Sequence, residues 1–281
     1  MPYKILEKVK LNQVIWKVVL QAPQVAGNAK AGQFVIIKID EQGERIPLTI
    51  NDSDPKKGTV TIIFQEAGAT TKRLGCLNAG DSISDLLGPL GKATDFGKTG
   101  TVVLVAGGVG IAEILPIAKY AKSIGNNVIT IIGGRTKELV ILESELKKHS
   151  DELIVTTDDG SYGIKGLVID PLREIMSKKE VNLCYCVGPD IMMKAVSQAT
   201  KPCGIKTLVS LDANMVDATG MCGTCRVIVG GETKFVCVDG PEFDGHLVEW
   251  DLFLKRQKRF ASEEKQAVEH FNSKHKKCIY K

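Results

Sequence analysis

The sequence lacks the long apolar runs that a membrane-spanning segment requires. Residues 1–8 contain no apolar signal region, and the longest apolar stretch, residues 101–115, is interrupted by glycines. A helix needs about 20 apolar residues to cross a bilayer, so this stretch is too short. We therefore expect a cytoplasmic protein that makes no contact with a membrane.

Histidine is also scarce, and its positions suggest no catalytic set. The four histidines are His149, His246, His270 and His275. They show no pattern with acidic or nucleophilic residues that would indicate acid–base chemistry. We predict no catalytic side chain.

The eight cysteines do not indicate a disulfide framework. They are scattered over 281 residues without a secretory signature, which is typical of a reducing compartment. Cys184, Cys186 and Cys203 have no metal-ligand spacing of their own and are expected to be buried thiols, while Cys76 and Cys278 are isolated.

Positive charge is concentrated near the C-terminus. The formal net charge is +4, and residues 255–281 hold nine Lys and Arg against three Asp and Glu. Such a tail is either a solvated helix face or a docking segment for an acidic protein surface. No basic–aromatic recognition motif accompanies it, so we expect no nucleic-acid binding.

The remaining three cysteines share one glycine-rich loop. Cys222, Cys225 and Cys237 have the spacing C-x2-C-x11-C. Thiolates at such a spacing ligate zinc or an iron–sulfur cluster, and glycines let the backbone fold tightly around the metal. Asp217, five residues before Cys222, is the leading candidate for a fourth ligand. An iron–sulfur cluster, a structural zinc site and plain buried thiols all remain compatible with this spacing.

Hydrophobic periodicity predicts a multidomain protein of the β and α/β classes. Short alternating segments in residues 1–97 predict an antiparallel β-barrel: residues 14–20, 33–38, 47–50, 59–64 and 81–84, with one helical piece near 70–77. Residues 98–210 predict a parallel α/β domain with strands near 101–107, 127–134, 153–157 and 185–190. Residues 211–281 would form a small third unit that contains the cysteine loop and the basic tail.

Two motifs in the predicted barrel fit a cofactor. Arg45-Ile-Pro-Leu-Thr49 places a guanidinium, a rigid ring and a hydroxyl at the start of a strand, as a diphosphate and flavin site would need. Gly68-Ala-Thr-Thr71 opens a helix whose N-terminus suits a phosphate. Each motif also has an ordinary explanation, a solvated Arg on a barrel rim and a common helix cap.

A glycine turn follows the first predicted strand of the α/β domain. Gly108 and Gly110, after Gly107, fit the first two glycines of G-x-G-x-x-G, but Glu113 occupies the sixth place. This arrangement lets backbone N–H groups face a diphosphate.

Ligands of open α/β sheets bind beyond the carboxyl ends of the strands. The loops 107–110, 133–135, 158–161 and 188–190 should therefore line one crevice, which includes Gly188 and Asp190. Arg135 would accept a 2′-phosphate, whereas Asp158 and Asp159 would repel one. We predict NAD(H) as the nucleotide.

The chain resembles the ferredoxin–NADP reductase superfamily over almost its whole length. The resemblance rests on R-x-P-L-T and G-A-T-T in a barrel, then G-G-V-G-I-A and the late cysteine loop. Two groups within this superfamily have segments that look like M-V-D-A-T-G-M-C-G-T-C-R-V and F-V-C-V-D-G-P-E-F-D-G-H of this chain. These are the small (alpha) subunits of NADH-dependent reduced ferredoxin:NADP oxidoreductases, also described as sulfide dehydrogenase subunits, and the electron-transfer subunits of dihydroorotate dehydrogenases. The likeness to the first group is stronger.

This resemblance implies FAD in residues 1–97, NAD(H) in residues 98–210 and a [2Fe–2S] cluster in residues 211–281. The implied FAD residues are Arg45, Pro47, Leu48, Thr49, Gly68, Thr70 and Thr71. The implied cluster ligands are Asp217, Cys222, Cys225 and Cys237. Dihydroorotate-type subunits usually have a cysteine where this chain has Asp217, and many superfamily members have a proline where it has Glu113.

The implied function is electron transfer in an electron-bifurcating complex. FAD would stand between NADH, which gives a hydride, and the cluster, which passes single electrons to a larger partner subunit with further flavin and iron–sulfur centres. One alternative is a subunit that serves dihydroorotate dehydrogenase. Another, of a different class, is a zinc-stabilised nucleotide-binding module without catalysis.

Overall fold

Alternating apolar residues at the start of the chain form an antiparallel seven-stranded sheet that curls into a nearly closed barrel. The computed structural model describes residues 2–274. The order across this sheet is β6-β1-β2-β5-β4-β3-β7. Its elements are β1 (Tyr3–Lys10), β2 (Ile15–Gln21), α1 (Pro23–Ala26), β3 (Phe34–Lys38), β4 (Arg45–Asp54), β5 (Thr59–Gln65), α2 (Ala69–Cys76), β6 (Ser82–Ile83) and β7 (Asp85–Leu90).

The barrel encloses its own apolar core. Alternate residues of each strand point inward, and Ile5, Leu20, Ile37, Ile62 and Phe64 are essentially inaccessible to solvent. At about 1.5–3 kcal/mol for each large side chain, this burial is the main contribution that stabilises the barrel.

Continuous apolar runs form a second, mostly parallel sheet. Residues 102–106 are all buried, because helices pack against both faces of the sheet. The order across the sheet is β11-β10-β9-β8-β12-β13-β16, and only β16 is antiparallel to its neighbour. The strands are β8 (Thr101–Gly107), β9 (Asn127–Gly134), β10 (Glu152–Thr157), β11 (Ile164–Lys165), β12 (Leu183–Val187), β13 (Lys206–Ser210) and β16 (Glu242–Asp244).

The connections of this sheet create a switch point between β8 and β12. The chain moves to one side of β8 first and then returns to its other side, so the loops after these two strands diverge. The connecting helices are α3 (Gly110–Ser123), α4 (Glu143–Lys147), α5 (Ile169–Lys178) and α6 (Asp190–Thr200), with short 3₁₀ turns at Lys137–Leu139 and Lys201–Cys203. The glycine turn of β8 and the Gly188–Asp190 loop therefore border one crevice.

The cysteine-containing segment packs against the α/β unit. Its elements are the hairpin β14 (Arg226–Val229) and β15 (Glu232–Phe235), then α7 (Val236–Asp239), β16, α8 (Trp250–Gln257) and α9 (Ala261–Lys274). Because β16 pairs with β13, this segment continues the second sheet. In the part of the chain that the structure describes, no helix has the length and apolar content needed to span a bilayer. Residues 275–281, which include Cys278 and the end of the basic tail, lie outside the described residues.

The glycines that follow β8 and β12 differ in their surroundings. A Cβ at Gly110 would lie 2.8 Å from the carbonyl oxygen of Val187, and a Cβ at Gly188 would lie 2.9 Å from that of Gly107. These glycines allow the backbones after β8 and β12 to approach closely. Gly108 has φ +59°, and a Cβ there would meet open space. Of these three glycines, only Gly108 has space around the position that a Cβ would occupy.

The predicted fold class is confirmed, and most predicted strands lie within two residues of the observed ones. The strand predicted at residues 185–190 is Leu183–Val187, because Pro189 and Asp190 already begin α6. The sequence did not predict β1, β7 or α1, and the strand predicted at residues 81–84 contains β6 alone. Cys184 and Cys186 are buried as expected, whereas Cys203 is exposed, because it lies on a surface 3₁₀ turn.

Gly110→Ala tests the close approach of the two loops. The new methyl group would collide with backbone rather than with a flexible side chain, so we expect the free energy of unfolding to fall by about 1–3 kcal/mol. Chemical denaturation of the purified chain without added cofactor measures the free energy of unfolding. Gly27→Ala is the matched control, because Gly27 has φ −69° and a Cβ there would only touch Pro23 at 3.4 Å. Equal stability of Gly110→Ala and the wild type would contradict this packing role.

Candidate functional site

One face of β4 presents the side chains of the arginine motif. Residues alternate between the two faces of a strand, so Arg45, Pro47 and Thr49 share one face. Leu48 packs on the opposite face against the barrel core. Arg45 is exposed, with its nearest carboxylate 3.9 Å away on Asp85. Leu48 can therefore contribute to a ligand on this face only through its backbone.

The second barrel motif folds as a helix cap close to the first. The Thr71 hydroxyl accepts hydrogen bonds from the N–H groups of Ala67 and Gly68, both at 3.0 Å. The Thr70 hydroxyl donates to Glu44, the residue before Arg45, at 2.9 Å. The fold brings the two motifs together, and both threonine hydroxyls already have protein partners.

Thr49 connects the barrel directly to the first turn of α3. Its hydroxyl donates to Oε2 of Glu113 at 3.0 Å. Burial raises the pKa of Glu113 to about 7, although Ser210 and Thr49 hydrogen-bond to it and act in the opposite direction. Glu113 keeps part of its surface accessible, so it lies deep in a cleft between barrel and sheet. This carboxyl group changes charge near neutral pH.

A second carboxyl group lies beside Glu113. Glu242, on β16, accepts hydrogen bonds from the Tyr185 hydroxyl at 2.9 Å and from the Thr94 hydroxyl. Burial raises the pKa of Glu242. Burial also raises the pKa of Tyr185 far above its usual value, and the negative charges of Glu242 and Glu113 add to this effect. Neither Glu113 nor Glu242 forms a salt bridge within residues 2–274. Barrel, sheet and C-terminal segment therefore meet at an acidic junction.

The loops beyond the parallel sheet come together as the sequence predicts. The N–H of Asp158 donates to the carbonyl of Gly134 at 3.1 Å, and that of Asp159 to the carbonyl of Arg135 at 3.3 Å. Arg135 and Asp158 are both exposed. Burial, with a further contribution from Asp212, raises the pKa of Asp190 at the start of α6 to about 6.

The candidate metal ligands of the cysteine loop lie in two pairs. The sulfurs of Cys225 and Cys237 are 3.3 Å apart, and both residues are buried. Asp217 accepts the N–H of Cys222 at 2.9 Å, and its carboxylate also lies within hydrogen-bonding reach of the Cys222 thiol. Within residues 2–274, no three His, Cys, Asp or Glu side chains converge closely enough to hold one metal ion.

Backbone conformation and hydrogen bonds hold these pairs in place. Ala218, which is buried, adopts φ +58°, a conformation that costs a residue with a Cβ about 1 kcal/mol or more. A hydrogen bond from Thr224 lowers the pKa of the Cys222 thiol, and burial and the Cys225 sulfur raise that of Cys237. The pKa of Asp217 is lowered, chiefly by the N–H of Thr219.

Two arginines fix the turn between Cys222 and Cys225. Arg226 donates to the carbonyl of Gly223 at 3.0 Å, and Arg256, on α8, donates to the carbonyl of Thr224 at 3.1 Å. Both guanidinium groups thus lie against the backbone that joins Cys222 to Cys225. The sequence analysis did not identify these arginines.

The residues of the acidic junction were also missed. Glu113 gave a signal, because it replaces the small residue of the glycine motif, yet its partner on β4 could not be deduced from spacing. Tyr185 and Glu242 gave no signal, since they lie 57 positions apart and meet only through the pairing of β13 with β16.

Comparison with known proteins identifies related sequences over almost the whole chain. Residues 212–249 match the family described as the iron–sulfur cluster binding domain of dihydroorotate dehydrogenase B. A Thermotoga maritima protein named "Dihydroorotate dehydrogenase B (NAD(+)), electron transfer subunit homolog" is 45% identical over 95% of each chain. A Clostridium beijerinckii protein named "Uncharacterized protein in adh 3'region" is 50% identical over 94% of this chain and 93% of its own length.

A solved structure shares the complete architecture. It is described in a study of flavin-based electron bifurcation via the NADH-dependent reduced ferredoxin–NADP oxidoreductase structure. Its chain superimposes with a TM-score of 0.92 at 42% identity, covering 96% of this chain and 98% of the other. The barrel, parallel sheet and cysteine segment are therefore one conserved arrangement in both proteins.

The raised pKa of Glu113 predicts how stability depends on pH. In the folded chain this carboxyl stays protonated up to about pH 7, whereas the unfolded chain ionises near the ordinary value of 4.5. The folded state binds more protons in this window, so its stability falls as pH rises through it. Glu113→Gln removes the effect, and we expect its unfolding free energy relative to wild type to rise by about 2–3 kcal/mol across the window.

Chemical denaturation of the FAD-free chain at several pH values measures this difference. Glu174→Gln is the control, because a hydrogen bond from Lys178 lowers the pKa of Glu174. The pKa shift of Glu174 is therefore opposite in sign to that of Glu113. A Glu113→Gln profile parallel to that of the wild type would contradict the assigned pKa.

Proposed function

Because the chain belongs to the family of dihydroorotate dehydrogenase B electron-transfer subunits and their homologues, within the ferredoxin reductase-like fold, we propose a specific role for it. It exchanges hydride with NAD(H) through FAD and passes single electrons through a [2Fe–2S] cluster. The receiver is a larger flavin and iron–sulfur partner subunit of an electron-bifurcating ferredoxin:NADP oxidoreductase. The 42% identity to the bifurcating oxidoreductase structure, over nearly both chains, supports this choice.

The observation that carries the proposal is the pairing of donors in the cysteine loop. Two thiolates on one tetrahedral metal at about 2.3 Å lie about 3.7 Å apart, close to the spacing of Cys225 and Cys237. Asp217 and Cys222 form a second pair in the same loop. Two separate pairs suit two irons, whereas a single zinc ion needs four donors around one point. The residues therefore fit a [2Fe–2S] cluster.

The cleft between barrel and sheet fits FAD. Arg45 and Thr49 face it from β4, and the helix cap at Gly68–Thr71 adjoins the start of that strand through Thr70 and Glu44. Arg45 supplies positive charge, and the free N–H groups of the first turn of α2 suit a phosphate. Flavin supplies the ability to exchange two electrons with nicotinamide and one at a time with a cluster. We propose residues 1–97 as the FAD unit.

The switch point of the second sheet fits NAD(H). The positive end of the α3 helix dipole lies at this turn, and Gly108 leaves the approach to it open. Gly107, Gly110 and Gly188 shape this turn by close packing. Exposed Asp158 beside Arg135 disfavours a 2′-phosphate, which supports NAD(H) over NADP(H). We propose residues 98–210 as the nucleotide unit and Asp190 as part of its rim.

The surface around Cys222 fits the larger subunit. Cys222 is exposed, and three apolar side chains near it are also exposed: Val216 by 57%, Met221 by 87% and Val238 by 39%. Apolar groups gathered around one exposed site are typical of a protein interface. We propose residues 211–281 as the cluster unit, with this surface as the point where electrons leave.

A second candidate is an electron-transfer subunit of dihydroorotate dehydrogenase. The family match over residues 212–249 and the name of the Thermotoga maritima relative favour it. Asp217 favours the first candidate, because dihydroorotate-type subunits usually have a cysteine at the position of Asp217. The large subunit that copurifies with the native chain distinguishes the two.

Variants of Asp217 test the cluster assignment. Asp217→Asn keeps a hydrogen-bond acceptor for the N–H groups of Thr219 and Cys222 but removes the anionic ligand. We therefore expect loss of most of the bound iron, and we expect Asp217→Cys to keep a [2Fe–2S] cluster with a different reduction potential. Iron content and electron paramagnetic resonance of the reduced chain measure both.

Asp239→Asn is the matched control for these variants. Asp239 lies in the same segment and accepts the N–H of Phe235 at 2.7 Å, but it does not contact a cysteine through this bond. It should keep full iron. An Asp217→Asn chain with full iron and an unchanged resonance signal would show that Asp217 only caps the turn.

A further inference from the structure

The contact between Thr49 and Glu113 has no role in the electron path described above. Thr49 lies on the proposed flavin face of β4, and its hydroxyl donates to Glu113 across the junction of the two units. Glu113 stands in the first turn of α3, where the glycine motif expects Gly or Ala. A long acid at this position reaches out of the helix to the barrel, which a small residue cannot do.

The side chains that surround Glu113 define a proton site. Those that face it are Thr49 from β4, Tyr185 from β12, Ser210 from β13, Asp212 after β13 and Glu242 from β16. They are hydroxyl groups and acids, so none of them neutralises the carboxylate by pairing. Burial and the neighbouring acids keep the pKa of Glu113 close to neutral pH. The group can thus both take and release a proton under working conditions.

The proposed electron path requires such a group. A hydride from NADH brings two electrons and one proton to the flavin, but the cluster removes electrons singly and takes no proton. After both electrons have left, one proton must leave as well. Since hydride transfer itself needs no acid, the requirement concerns only the steps that send electrons towards the cluster.

We propose that Glu113 accepts the proton released on flavin oxidation, through the hydroxyl of Thr49. This inference rests on the proposed function. With a flavin bound, Oγ1 of Thr49 would take up the released proton and give its own proton to Oε2 of Glu113, to which it already donates a hydrogen bond. Glu113 later releases it to solvent through the cleft that leaves its side chain accessible. Glu113 acts through Thr49 and is therefore a positioning residue for this proton.

The pH dependence of electron release tests the proposal. The complete FAD-loaded chain is reduced with NADH without oxygen and mixed with the one-electron acceptor ferricyanide, and the return of flavin absorbance is followed. The wild-type rate should rise with pH up to about 7 and then level off, because only ionised Glu113 accepts a proton. In Glu113→Gln the rate above neutral pH should be lower by about tenfold or more, with no pH dependence in this range.

Variants of the surrounding side chains separate proton transfer from structure. Thr49→Val should behave like Glu113→Gln, whereas Thr49→Ser keeps a hydroxyl and should restore the wild-type profile. Glu242→Gln removes a nearby negative charge without breaking the contact to Thr49. It should keep the shape of the profile but move its midpoint to lower pH, because Glu242 raises the pKa of Glu113. Reduction by NADH should change by less than about threefold in Glu113→Gln and Glu242→Gln.

Infrared titration of the FAD-free chain gives a readout that does not depend on turnover. The carboxylic acid carbonyl band should contain a component that titrates near pH 7 in the wild type and is lost in Glu113→Gln, whereas the contribution of Asp190, with a pKa of about 6, should remain. A Glu113→Gln chain that keeps the wild-type rate and pH profile would overturn the inference, as would a wild type without this titration. Failure of NADH to reduce the wild-type flavin would instead contradict the proposed function, and the infrared titration would still decide the protonation of Glu113.

Discussion

The arrangement of this protein depends on how α3 docks onto the barrel strand β4. Three contacts fix it: the Thr49 hydroxyl donates to Glu113, the Asn51 side chain donates to the carbonyl of Ala112 at 2.6 Å, and Lys119 pairs with Asp52 at 3.2 Å. Asn51 is buried, so loss of its bond would leave a polar group without a partner and cost about 1–3 kcal/mol. The exposed pair at Asp52 contributes less.

This docking places the two proposed nucleotide sites on the same cleft. The helix that begins at the glycine turn is also the helix that contacts β4, so the turn and the flavin face of the barrel cannot move independently. The C-terminal segment closes the assembly, because Glu242 bonds to Tyr185 of the sheet and to Thr94 beside the barrel. In addition, the N–H of Lys92 donates to the carbonyl of Gly240 at 2.7 Å. One junction thus connects the barrel, the parallel sheet and the cysteine segment.

The sequence predicted those parts of the fold that rest on local patterns. The run at residues 127–134 matches β9 because a buried parallel strand is continuously apolar, and the cysteine spacing identified a loop that does bring Cys225 and Cys237 together. Strands β1 and β7 were missed because register and pairing, not local pattern, determine them. The acidic junction was missed because its members come from distant positions, and the packing role of Gly110 became visible only when β12 was placed beside β8.

The central claim is that electrons pass from NADH to the cluster only through FAD. Electron paramagnetic resonance of the complete chain, treated anaerobically with NADH in FAD-loaded and FAD-free forms, tests it most directly. We predict the signal of a reduced [2Fe–2S] cluster in the FAD-loaded form and no signal in the FAD-free form, although both contain the same amount of iron. A signal of equal size in both forms, or zinc in place of iron in the cysteine loop, would contradict the account.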